Sequence, residues 1–214
     1  MNGNKIGSKV MTVALLVLGF ACAASAQVGK PVTILDANRA TEAELKAIPQ
    51  LNDALVKAIL EKRPFSSITQ LHAILTPTLS KEQATEVYRK IFVHINLNTA
   101  TKEEILLIPG VGNRMLHEFE EYRPYNNLAK FHKEIDKYVD DAELARLEQY
   151  VFVQVNLNTA SDDDLNSIPG MSRRMLHEFK EYRPYKSIEQ FRKEIGKYVN
   201  AKEVARFERF VTLQ

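Results

Sequence analysis

An ungapped repeat of sixty residues constrains this chain more than any other feature. Asn96-Leu97-Asn98-Thr99-Ala100 returns sixty positions later as Asn156-Leu157-Asn158-Thr159-Ala160, and a weaker copy, Asp36-Ala37-Asn38-Arg39-Ala40, lies sixty positions earlier. The register holds onward: Glu121-Tyr122-Arg123-Pro124-Tyr125 matches Glu181-Tyr182-Arg183-Pro184-Tyr185 and, loosely, Glu61-Lys62-Arg63-Pro64-Phe65. Lys137-Tyr138-Val139 likewise matches Lys197-Tyr198-Val199. A fixed period of this kind means copies of one supersecondary unit. The unit has about sixty residues, near the lower limit for a domain that folds alone.

Each unit reads as helical. Thr101 and Glu104 form a capping box, matched by Thr41 with Glu44 and by Ser161 with Asp164, so all three copies carry the same helix-start signal. Met115, Leu116, Phe119 and Tyr122 fall at helical spacing, and the Arg123-Pro124 step ends that second helix by disfavouring the helical region before proline. A third short helix carries Leu128, Phe131 and Ile135, and a fourth carries Leu144, Leu147 and Val151. No stretch reads as a central strand. The expected fold is all-α: three tandem units of helix-turn-helix, loop, helix-turn-helix, at 27–95, 96–155 and 156–214. The apolar connector Val151-Phe152-Val153-Gln154-Val155 is unlike a flexible linker and predicts an elongated, fairly stiff array of docked units.

Between the first two helices of the middle unit lies Ile108-Pro109-Gly110-Val111-Gly112. Glycine lets a backbone approach a ligand without an intervening side chain, and a helix N-terminus behind it adds a favourable dipole for an anion. The candidate phosphate donors are the amides of Gly110, Val111 and Gly112, with Asn113 and Arg114 opening the next helix. The third unit keeps Gly170, has Met171 where the middle unit has Val111 and Ser172 in place of the second glycine, and adds Arg173 and Arg174 as cationic side chains. The first has Gln50, Leu51, Asn52 and Asp53, with neither glycine and an added anion, and is not expected to bind DNA.

The N-terminus has Lys5 and Lys9, an apolar run from Val10 to Ala23, and the triplet Ala24-Ser25-Ala26. That is the pattern of a secretory signal peptide spanning 1–26, so the expected location is periplasmic or secreted, with no membrane anchor after cleavage. A retained anchor is the alternative, although the run is shorter than the roughly 20 residues that span a bilayer. The single cysteine, Cys22, lies in this segment, and lipidation there would need a lipobox that Gly19-Phe20-Ala21 does not match well. The remaining chain has no thiol for a disulfide or a metal site.

Asn-x-Asn-Thr-Ala, the capped short helix, Ile-Pro-Gly-Val-Gly, a second helix and Tyr-Arg-Pro-Tyr together resemble the helix-hairpin-helix module of ComEA-type competence proteins. The resemblance covers nearly all of the chain after residue 26. It implies binding of DNA without sequence preference, outside the cytoplasmic membrane, in DNA uptake. An extrinsic photosystem subunit with the same double-hairpin fold has a structural role instead, so an exported scaffold that binds a protein partner is the second functional class. The second hairpin departs from the family pattern: Asp136-Lys137-Tyr138-Val139-Asp140 has no glycine and Gly196-Lys197-Tyr198-Val199-Asn200 has one.

Charge divides the same two readings. Without Lys5 and Lys9 the chain has 27 basic and 27 acidic residues, which predicts no strong whole-chain attraction to DNA. Residues 96–155 carry seven basic and eleven acidic side chains, whereas 156–214 carry eleven and nine. The expected basic face is therefore on the third unit, with Arg173, Arg174, Arg192, Lys193 and Lys197. His117 and His177, each four residues before a glutamate, read as polar-face residues of a helix, with no third ligand at metal spacing. Tyr122, Tyr125, Phe131 and Tyr138 suit the core of a small unit better than base stacking. No activated nucleophile or acid/base pair stands out, so neither an enzymatic activity nor a cofactor is expected.

Overall fold

The computed structural model describes residues 34–214. The signal-peptide, cleavage and Cys22 readings concern residues outside that range. Among the described residues are twelve helices and six two-residue strands. They run β1 (Leu35–Asp36), α1 (Glu42–Lys46), α2 (Asp53–Lys62), α3 (Ile68–Leu75), α4 (Lys81–Tyr88), β2 (Ile91–Phe92), then β3 (Ile95–Asn96), α5 (Lys102–Leu106), α6 (Asn113–Glu121), α7 (Leu128–Ile135), α8 (Asp141–Glu148), β4 (Val151–Phe152). The last set is β5 (Val155–Asn156), α9 (Asp162–Asn166), α10 (Arg173–Glu181), α11 (Ile188–Ile195), α12 (Ala201–Glu208) and β6 (Val211–Thr212). The chain is mostly helical, and four helices recur between each pair of strands.

The strands correct the expectation of a purely helical chain. β1 pairs with β2, β3 with β4 and β5 with β6, all parallel, in the registers Leu35↔Ile91, Ile95↔Val151 and Val155↔Val211. Four short helices return the chain to its starting point, so its entry and exit run side by side. β-Branched residues there then form a ladder too short to carry a sequence period. Ile95 and Val155 begin the ladders of the segments that follow them, one residue ahead of the seams read from the sequence.

The helices begin where the sequence puts their caps. Thr41, Thr101 and Ser161 form the expected capping boxes, and Ser67 and Ser80 add two more. α6 spans nine residues, two fewer than its apolar spacing suggests, because Tyr122 already leaves the helix before Arg123-Pro124. Phe119, Phe131 and Ile135 are fully buried at its back, with the Phe119 and Phe131 rings edge to face at 5.3 Å.

Two of the repeated sequence motifs turn out to be halves of one clamp. The Asn98 side chain accepts from the Tyr125 amide at 2.6 Å and donates to the Tyr125 carbonyl at 2.8 Å. Arg123 Nε and Nη2 donate to the Leu97 and Ala100 carbonyls at 2.6 and 2.8 Å. Asn158 with Tyr185, and Arg183 with Leu157 and Ala160, repeat the arrangement. In the first segment Asn38 holds Phe65 in the same way, while Arg63 reaches only the Ala40 carbonyl.

The expected elongated array is also corrected. Only Val93 and His94 separate β2 from β3, so the seam cannot act as a spacer, and one apolar core runs through the first two segments. The third segment has its own core, from Phe152 to Val211, and meets the first directly. Asp36 Oδ2 lies 3.6 Å from Arg206 Nη1, and Arg209 Nη2 donates to the His94 carbonyl at 2.8 Å.

Candidate functional site

Each first hairpin turns through the same hydrogen-bonded bend. In the second segment Val111 N donates to Ile108 O at 3.0 Å, with Pro109 leading and Gly110 at φ +86°. That positive φ is the left-handed conformation that glycine adopts without steric penalty. The third segment repeats it with Met171 N on Ile168 O at 3.0 Å and Gly170 at φ +75°. In the first, Leu51 N donates to Ile48 O at 3.0 Å, but Gln50 keeps a negative φ. The Val111 and Met171 amides, expected to face a phosphate, are therefore spent within the turn.

The helix start behind the bend differs among the three segments. Eleven of the twelve described helices have a side chain that caps the first turn. Asn52 accepts from Leu55 N at 2.9 Å and Ser172 from Met175 N at 3.2 Å. α6 is the exception: Gly112 is its cap residue and offers no acceptor. Nothing lies within 4 Å of where a Gly112 Cβ would stand, and Gly110, Gly112, Asn113 and Arg114 are all exposed. The N-terminal amides and dipole of a nine-residue helix thus meet solvent, with one arginine beside them.

Behind the turn stands a residue that the motif reading did not single out. Arg146 Nη2 is 3.3 Å from the position of a Gly110 Cβ, and its guanidinium lies 5.5 Å from the Tyr150 ring. Glu143 grips it with two 2.6 Å hydrogen bonds, so its charge is answered locally. Its equivalent sixty positions on, Arg206, is buried and donates to the Pro169 carbonyl at 2.7 Å. That sixty-residue register was the available signal for both.

The third segment does not assemble the expected basic face. Gly170 is half-buried, and the Arg39 guanidinium, from the first segment, covers it in the space that a Gly170 Cβ would take. Met171 is buried and Ser172 caps its own helix. Lys197 is paired with Glu194 and sits 4.9 Å above the Tyr182 ring. Arg192 makes two hydrogen bonds to Glu208, at 2.8 and 2.6 Å. Arg174 stacks 5.3 Å over Tyr198, while Arg173 lines an open cleft of about 380 Å³ with Asp162, His177 and Lys180. Lys180 in that cleft is held by Asp162 at 2.5 Å.

Other polar groups have structural roles. His117 pairs with Glu121 at 3.0 Å along the exposed face of α6. The Tyr122 and Tyr138 hydroxyls bond each other at 2.8 Å, and Tyr125 is buried, where desolvation pushes its phenol well above the ordinary range. His94, at the seam of all three segments, is buried, and desolvation holds its imidazole below the ordinary 6.5, opposed by Asp36 and reinforced by Arg209 and Arg206. Hydrogen bonds from the Thr41 backbone and hydroxyl hold the Glu44 carboxyl below its usual range.

The fold and this geometry define a mostly helical chain with one open glycine turn and one covered one. An alignment of 130 positions is 30% identical to Endonuclease/exonuclease/phosphatase family domain-containing protein 1 of Xenopus laevis, covering 44% of this chain and 23% of that protein. The chain therefore spans about a quarter of the length of the curated relative it matches. No family model and no solved structure matches.

Proposed function

We propose that this chain is a non-enzymatic protein that holds DNA by its sugar-phosphate backbone, without sequence preference, through the Gly110–Arg114 stretch. The observation that carries the reading is the start of α6. In a chain that caps its other described helices with its own side chains, this one opens on a bare glycine beside an exposed Arg114. A phosphate oxygen supplies the acceptors that are lacking there, and it carries no base information. The three segments are then helix-hairpin-helix modules of the ComEA type, the first degenerate and the third contributing Arg173 and Arg174 at its edge.

The carboxylates nearest the turn do not all oppose a strand. Asp140 caps α8 by accepting from Glu143 N at 2.8 Å, and Glu143 is committed to Arg146. The relative's name carries an endonuclease/exonuclease/phosphatase domain; on this reading the shared stretch contributes binding to such a protein and not its chemistry. Export through residues 1–26 to the periplasm or beyond, and a role in DNA uptake, belong to the same proposal.

Titrating a mixed-sequence duplex against the protein over a range of salt tests it. Binding should fall as salt rises, with a log–log slope of about −2 for two or three phosphate contacts. Arg114→Glu should abolish the shift; an absent shift with wild-type protein at low salt and micromolar concentration discards the reading. One observation favours a scaffold that docks a protein instead: Leu106, 43% exposed, stands near the open turn and is a large apolar side chain left in solvent. If that reading holds, duplex does not bind, and Leu106→Ser weakens capture of the protein partner.

A further inference from the structure

The first repeat departs from the other two at three positions of its opening motif, Ala37 for Leu97 and Leu157 among them, and the two departures that change charge meet the third segment. Where the later copies have Asn96 and Asn156 the first has Asp36; where they have Thr99 and Thr159 it has Arg39. The local task of the first position is unchanged. Asp36 Oδ1 accepts from the Asn38 amide at 2.8 Å, as Asn96 and Asn156 accept from Asn98 and Asn158. What the substitution adds is a charge. Its other oxygen, buried and without a hydrogen bond, faces Arg206 at 3.6 Å, and Arg206 is the side chain that supports the Pro169-Gly170 turn.

Arg39, an exposed side chain, reaches the same turn, with its guanidinium in the space that a Gly170 Cβ would take. Arg209 on the His94 carbonyl closes the seam between them. The matching surface of Gly110 stays exposed, because its segment neighbours offer no such arginine. Here an added anion and an added cation converge on one turn and the arginine beneath it.

We propose that the first repeat is an intramolecular clasp that keeps the third repeat's glycine turn covered, and so confines contacts between phosphate and turn backbone to the Gly110 turn until the clasp opens. The second half of this statement rests on the DNA-backbone reading above. The clasp stabilises a closed arrangement of the three segments, and its charged groups make it sensitive to competing anions, of which a DNA strand is one.

The test is the full chain carrying D36N and R39T, which puts at these two positions the residues that the second and third copies have there. Circular dichroism establishes that the variant is folded, and R39T alone, which alters one partly solvated side chain, repeats both measurements. Solution X-ray scattering without DNA should show a larger maximum dimension, as the third segment separates from the first. Duplex affinity at low salt should rise about tenfold, with a steeper salt dependence, as a second set of phosphate contacts forms. An unchanged scattering profile in both variants overturns the clasp. An expanded profile with unaltered affinity, in a protein whose wild type binds duplex, overturns the covering role. If neither protein binds duplex, the DNA reading falls, and scattering alone decides whether the clasp exists.

Discussion

Gly110 and Gly170 occupy equivalent positions with the same positive φ, yet only one of them has an arginine from another segment against it. An alanine at either site is strained by the left-handed backbone, at about 1 kcal/mol. At Gly170 it must also displace Arg39, so Gly170→Ala should lower the unfolding free energy more than Gly110→Ala does. The excess should vanish in an Arg39→Thr background, and denaturant titration of the four proteins reads the coupling. His94 gives a second expectation at this scale. Its folded pKa lies below the unfolded value, so the unfolded chain binds the extra proton. Stability is therefore full above about pH 6.5 and declines as pH falls toward the folded pKa. His94→Gln, the residue found at the matching position 154, should flatten the thermal midpoint between pH 7.5 and pH 5; an unchanged decline would place the titrating group elsewhere.

The helices were legible because their start signals are chemical and local. Thr41, Thr101 and Ser161 with an acid three residues on specify a first turn whatever surrounds it, and the structure caps all three as expected. The strands were not legible, since two residues of Ile-Phe or Val-Phe carry no alternation, and their pairing spans a whole segment. The motifs Asn-x-Asn-Thr-Ala and Tyr-Arg-Pro-Tyr were seen as separate repeats, but nothing in either says that they bond each other. That clamp makes a prediction. Asn98→Ala leaves the Tyr125 backbone N–H and C=O without their partners, and should destabilise the protein by about 2 kcal/mol in chemical denaturation. A loss below a few tenths would show that solvent replaces Asn98 freely.

For the whole molecule, the sequence placed the glycine turns but not their fates. Arg39 in the first copy looked like decay of a motif, and its contact with Gly170 lies 131 positions away in the chain, beyond the reach of any periodicity. The expected basic face failed for a related reason. Lys197 and Arg192 are cationic in the sequence, but Glu194, near the end of α11, and Glu208, on α12, answer them in the fold. Among the described residues a single exposed helix start without a side-chain cap survives, that of α6. Gly112→Asp fits there without a clash, since no atom lies within 4 Å of its Cβ position and φ is −112°. An aspartate would cap α6 as Asp140 caps α8, raising stability by about 0.5 kcal/mol while placing a carboxylate at the proposed phosphate site. Thermal midpoint and duplex affinity should move in opposite directions in this one variant, the midpoint up and the affinity down by at least about tenfold. A stabilised Gly112→Asp protein that binds duplex as tightly as the wild type would contradict it.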